Sequence, residues 1–217
     1  MDFFIFENTK TISKDISSYP ITLEDVKAKS FYFKDNPDDD SFDTYISTFV
    51  IPKVISDWED STKFILLDSE IKAFVPNLEF INSNRLPLSL SHLNVRTIQS
   101  IKYFEYDVNL PNERISILSN YYSKSEELNN KPINIYLHYS LLPLRIYPIE
   151  NNFECSYLAG YENNDFENIP LDIKDCLAAQ ASIILDVKQG YCDDYYLDFI
   201  KKVYDDYSAV KRLIEII

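Results

Sequence analysis

The sequence predicts an α+β fold: a helical bundle formed by N- and C-terminal helices, with a central antiparallel β-rich insertion. Three observations predict it. Apolar residues recur at spacings of three and four up to Trp58 and again after Asn168. Between about 62 and 161 that period disappears, and short runs rich in Ile, Val, Tyr and Phe are bounded by Pro, Asn and Asp. The 217 residues, 46% of them hydrophobic, suit one large domain or a domain carrying a sub-domain. Such a chain buries its own core without a metal or disulfide staple.

The elements follow in order. Residues 1–19 read as an N-terminal extension with a short aromatic patch, ahead of a single domain over 20–217. A first helix begins near Thr22, where Thr22-Leu23-Glu24-Asp25 forms a capping-box pattern with Asp in the place of Glu or Gln. It ends before Asn36-Pro37, and the acidic turn Asp38-Asp39-Asp40 leads into a longer helix from about Ser41 to Trp58. Pro52 lies inside that helix and predicts a kink. The two helices occupy 21–58.

Candidate strands are Lys63–Leu67, Ile71–Val75, Ile98–Tyr106, Ile115–Leu118, Ile133–Tyr139, Leu144–Tyr147 and Phe153–Gly160. Helices return over 168–217. Asn168 is the expected N-cap, with Pro170 in the first turn and Gly190 as a left-handed C-terminal cap. The last helix is expected from about Asp193 almost to Ile217, with Tyr196, Ile200, Val203, Tyr207, Val210 and Ile214 spaced 4, 3, 4, 3, 4.

Charge narrows the function. Lys plus Arg number 21 and Asp plus Glu 35, a net charge of −14. That balance argues against holding nucleic acid by neutralising phosphates. It does not argue against surrounding DNA, because an acidic wall lets a polyanion slide without sticking. With only 2 glycines, a glycine-dependent phosphate loop is not expected. No signal peptide is expected at Met1–Glu7, and no apolar run approaches the length of a membrane span. Cys155, Cys176 and Cys192 have no metal-ligand spacing and read as buried, reduced thiols.

Chemistry-bearing residues are sparse. His92 sits in a loop-like stretch and His138 in a strand; neither belongs to a motif, and both read as ordinary structural histidines. Asp38–Asp40, Asp193-Asp194 and Asp205-Asp206 lack a calcium-loop pattern and read as solvated helix ends. Tyr121-Tyr122 and Tyr195-Tyr196 lack the basic groove that base stacking needs and suit core or protein interfaces. No catalytic residue, metal site or cofactor is expected, and the chain reads as an interaction protein rather than an enzyme.

Four stretches, in order, resemble one family. Ile21-Thr22-Leu23-Glu24-Asp25-Val26-Lys27, followed by Asp38–Asp40 and the helix to Trp58, resembles the opening of the head–tail connector (adaptor) family of tailed phages, prophages and gene transfer agents. Asn84-Arg85-Leu86-Pro87-Leu88 with Val95 to Tyr106 is similar to its strand region. Phe153-Glu154-Cys155-Ser156-Tyr157-Leu158-Ala159-Gly160-Tyr161 resembles its "A-G-Y" strand, and Asn168-Ile169-Pro170-Leu171-Asp172-Ile173-Lys174 its "I-P" helix start. The chain departs from the pattern after Trp58, where a Thr-Gly-Arg turn is lacking, and over 107–132, which is longer.

The resemblance implies a non-enzymatic virion protein without a cofactor, at the head–tail junction of a particle assembled in the host cytoplasm. Its subunits would form a cyclic ring of about twelve under the portal protein, extend the DNA exit channel and offer a platform to a stopper or tail-completion protein. DNA would pass through the lumen without sequence-specific binding, and no membrane is involved. Another neck protein, or an unrelated intracellular protein-binding module, are the alternatives. The stripe on the last helix is longer than one neighbouring helix covers, so Tyr207, Val210 and Ile214 are the expected subunit or portal contacts.

Overall fold

A computed structural model of the protein describes residues 4–6, 8–74, 88–104, 114–117, 122–124, 133–137, 153–191 and 196–208. The class is the expected one: helices from both ends of the chain pack together beside β-structure from the middle. The strands form two sheets. Strands β2 (Asn8–Lys14), β3 (Ser69–Phe74), β5 (Val95–Phe104), β6 (Arg114–Ile117) and β9 (Glu154–Ala159) make a five-stranded antiparallel sheet of order β2-β3-β9-β5-β6. Strands β1 (Phe4–Phe6), β4 (Leu88–Leu90), β7 (Tyr122–Lys124) and β8 (Asn134–Leu137) make the second, of order β1-β4-β8-β7, in which β1 and β4 run parallel.

Part of the stretch read as an N-terminal extension is therefore sheet. Asn8–Lys14 alternates too weakly in polarity to announce a strand, yet it pairs along the whole length of β3, with a bulge at Ile12. The expected strand Lys63–Leu67 is absent. Those residues form a buried connector with one isolated bridge, Phe64 to Leu93. Its amides are taken up by a side chain instead: Glu59 Oε1 accepts from Leu66 N at 2.8 Å and from Leu67 N at 3.0 Å. The expected strand Leu144–Tyr147 lies outside the described residues.

The capping box at Thr22 forms with Asp25 as its reciprocal partner and starts α1 (Leu23–Lys29). The single expected helix is broken at Ser30, which ends α1 and caps α2 (Phe31–Asp35). The break is fixed from afar. The carboxylate of Asp186 accepts from Ser30 Oγ at 2.5 Å, Phe31 N at 3.0 Å and Tyr32 N at 3.1 Å.

The second helix begins as α3 (Asp43–Tyr45), passes through a π-turn (Ile46–Val50) and continues as α4 (Ile51–Thr62), four residues beyond the expected end. The expected irregularity at Pro52 takes the form of that π-turn. Pro52 has no N–H to return to Thr48, and a wider turn just before it relieves the ring from the carbonyl of the preceding turn. Lys63, in a left-handed conformation with φ 59°, closes α4.

α5 (Leu171–Lys188) is the central helix, touching α1, α2, the π-turn, α4 and the last helix, α6 (Leu197–Tyr207). Asn168 does not cap it; Pro170 occupies that position. The proline biases Ile169 to extended backbone, so the helix cannot start earlier. Gly190 adopts φ +83° as expected, and its N–H and that of Tyr191 bond back to Val187 and Asp186 in a Schellman closure.

α6 (Leu197–Tyr207) is shorter than expected. Ser208 is already extended, and the last turn carries Asp205 and Asp206 with no base to match the negative helix end. The core gathers Val26, Phe33, Val54, Trp58, Phe64, Ile173, Leu177 and Val203 between these helices and the 64–67 connector.

Candidate functional site

His92 and the cysteines come first, as the residues with reactive potential. The Nδ1 atom of His92 lies 2.6 Å from the Tyr157 hydroxyl, and both side chains are buried. Burial, with repulsion from Lys63 second, lowers the His92 pKa from 6.5 to about 4, so the ring is neutral at ordinary pH. Burial likewise raises the Cys155 thiol far above its usual range and Cys176 to about 12. Both are free, buried thiols, as the sequence predicts, and poor nucleophiles. Cys192, His138, Asp193 and Asp194 lie outside the described residues.

The acidic turn is tied into the helical layer. Asp39 accepts from the Tyr32 hydroxyl and from Ser41 N at 2.8 Å, while its carbonyl accepts from Lys27 Nζ at 3.2 Å. Those bonds hold the Asp39 carboxyl below its usual pKa, with Tyr32 the largest cause. Asp38 and Asp40 project into solvent. Among the described residues, no three His, Cys, Asp or Glu side chains gather as a metal ion requires.

A polar clasp closes one end of the large sheet. Asp68 pairs with Arg96 and accepts from Asn163 N at 2.8 Å, and its own N–H donates to Asn164 Oδ1 at 2.8 Å. Asn164 also donates to the Asp15 carbonyl, and Asn94 to that of Ile65. Asn94, Asn163 and Asn164 all adopt positive φ. Glu59 pairs with Lys14 of β2, so the same region joins the helical layer to the N-terminal strand. Gly160 lies here at φ +87°; a Cβ on it would come within 2.1 Å of the Leu67 carbonyl oxygen. This arrangement is structural, and it explains the glycine in the Ala159-Gly160-Tyr161 stretch.

The contact residues expected on the last helix divide. Tyr207 is only 8% exposed and belongs to the core. Its ring meets Trp58 and Phe64, and its hydroxyl donates to Asp172 at 3.2 Å. It faces inward, because the stripe through Val203 and Tyr207 is used up against α4 and α5. Val210 and Ile214 lie outside the described residues.

Apolar surface stays exposed at other described residues, Leu197 and Phe199 of α6 among them. Phe49, 51% exposed on the π-turn, stacks on Tyr45 at 5.3 Å, and Lys188 Nζ sits 3.5 Å above the Tyr45 ring. On β2 and just beyond it, Ile12 and Ile16 are 44% and 65% exposed. Sequence periodicity reads neither as surface: Phe49 falls on the apolar stripe of the expected Ser41–Trp58 helix, whose period the π-turn shifts, and β2 carries no clean alternation.

No known protein family matches the chain, and no curated protein does. Solved structures do match in fold. The chain is similar to one in the virion of a native gene transfer agent particle, with a TM-score of 0.57 and 11% identity over 89% of this chain and 93% of that one. A chain in the neck of the native particle, computed with C12 symmetry, gives a TM-score of 0.54 and 12% identity over 88% and 94%. A chain in the neck of the empty particle, computed with C6 symmetry, gives 0.52 and 11% over 76% and 78%. The likeness is one of fold, and it runs nearly end to end.

Proposed function

We propose that this chain is a non-enzymatic structural protein of the neck of a phage-like particle: a head–tail connector (adaptor) subunit. It works as one protomer of a ring under the portal protein. The ring extends the DNA exit channel and receives a stopper or tail-completion protein. The observation that carries this reading is the near-complete fold likeness, 89% of this chain against 93% of a gene transfer agent virion chain. The C12 and C6 symmetries of the neck structures support a cyclic ring. The four ordered sequence stretches that resemble the connector family add independent support, and they do not depend on the fold.

Physical features agree. A net charge of −14 suits a lumen through which DNA passes without adhering. The buried, neutral His92 and the buried thiols offer no activated group. Val210 and Ile214 remain the proposed contacts of the C-terminal segment with a neighbour or the portal; Tyr207 is assigned to the protomer core.

Native mass spectrometry of the protein mixed with the portal protein encoded in the same gene cluster tests the reading. A cyclic assembly of about twelve copies on the portal is expected. A closed dimer indifferent to the portal overturns it.

A further inference from the structure

β2 is an edge of the five-stranded sheet, and every side chain from Thr9 to Lys14 is exposed. In a chain of net charge −14, Asn8–Lys14 carries two lysines and no acid. Its exposed apolar residue Ile12 lies between them, and Ile16 follows Lys14 by two. Lys14 is engaged with Glu59, while Lys10 makes no ion pair among the described residues.

The start of the α3–α4 helical run has the opposite character. Asp38 and Asp40 project into solvent, and Phe49 follows, exposed and stacked on the half-buried Tyr45, whose ring also lies under Lys188.

Each surface combines an uncommitted charge with exposed apolar area, and the charges are opposite. Within one protomer they do not meet. Lys14 is anchored at Glu59, about 24 Å along the helical run from Asp43, and Ile12, Ile16 and Phe49 all stay exposed.

We infer that the β2 edge of one copy docks on the Asp38–Phe49 surface of the next, with Lys10 facing Asp40 and Ile12 and Ile16 covering Phe49. The contact joins two different surfaces of the same chain. It is therefore heterologous and propagates around a ring instead of closing a dimer. The inference rests on the proposed ring and specifies its subunit contact.

Disulfide trapping in the full chain tests it. In a Cys192→Ser background, with Cys155 and Cys176 buried, Lys10→Cys combined with Asp40→Cys is oxidised mildly during assembly on the portal. A ladder of cross-linked dimers, trimers and larger species on a non-reducing gel is expected. Either single variant alone should give none; a homodimer from Lys10→Cys alone overturns the contact. Rings seen by mass without a ladder overturn the contact and leave the ring reading intact. A failure to assemble at all, with the wild type also failing, overturns both. As a second arm, Lys10→Glu and Asp40→Lys should each weaken assembly roughly tenfold or more, and the double swap should restore it. No restoration rejects the pairing.

Discussion

Gly160 and Asp186 show how single residues fix this fold. Alanine at 160 would meet the Leu67 carbonyl and demand φ +87° of a residue with a Cβ. Gly160→Ala should cost about 3 kcal/mol or more in urea unfolding; a loss under about 1 kcal/mol would mean the Leu67 connector yields. Asp186 binds three donors of the Ser30–Tyr32 corner, so Asp186→Ala should cost about 2–4 kcal/mol. His92 gives stability a pH dependence of known sign. Its folded pKa, about 4, lies below 6.5, so the unfolded chain takes up the proton first. The stabilisation is whole above pH 6.5 and is lost as pH falls toward 4, by up to about 3 kcal/mol. His92→Gln should flatten the stability profile between pH 6.5 and 5, and an unchanged profile would refute this. The Thr22 capping box was legible in the sequence because its partners are three residues apart. The Ser30–Asp186 cap was not, because its partners meet only once α5 packs.

Among elements, α6 is held by aromatic contacts with α4 and by packing and hydrogen bonds with α5. Trp58, the single tryptophan, is fully buried, with the Tyr204 ring 4.9 Å away and the Tyr207 ring 5.9 Å away. Tyr204 also donates to Gln180 of α5. Tyr204→Ala should therefore release α6, cost about 3–4 kcal/mol, and shift Trp58 emission to the red under native conditions. An unshifted emission would show that α6 is held by other contacts. The period of α5 and its glycine closure could be read directly from sequence. The end of α6 could not, since the apolar spacing continues past Tyr207 while the backbone turns away at Ser208. The π-turn was visible only as a proline in a helical pattern. Propensity reports that something must give there, not which ladder replaces the regular one.

For the whole molecule, separating folding from assembly is the decisive measurement. Tyr207 belongs to the protomer, so Tyr207→Ala should unfold it readily. Val210→Asp should leave the melting temperature within about 3 °C and still block assembly on the portal. If it unfolds the isolated protomer instead, the segment after Ser208 is core and the docking role fails. The fold class, with helices before and after a β-rich middle, was legible because period is a local signal. The division into two sheets and the edge strand at the N-terminus were not. Each depends on which distant strands pair, and one chain's pattern leaves that open.

The strand order also governs how the chain folds during synthesis. β9 joins β3 to β5, yet it is the last strand of its sheet to leave the ribosome. Thr9 pairs with Ala73, and Val95 waits for Ala159. Until then, the β2-β3 pair, itself joined across the helices α1 to α4, and the β5-β6 pair are separate halves with open inner edges. Such non-local closure makes folding slow and leaves a nascent species prone to aggregate. Chains arrested before residue 153 should be recovered as insoluble material, and arrest after residue 191 should restore solubility.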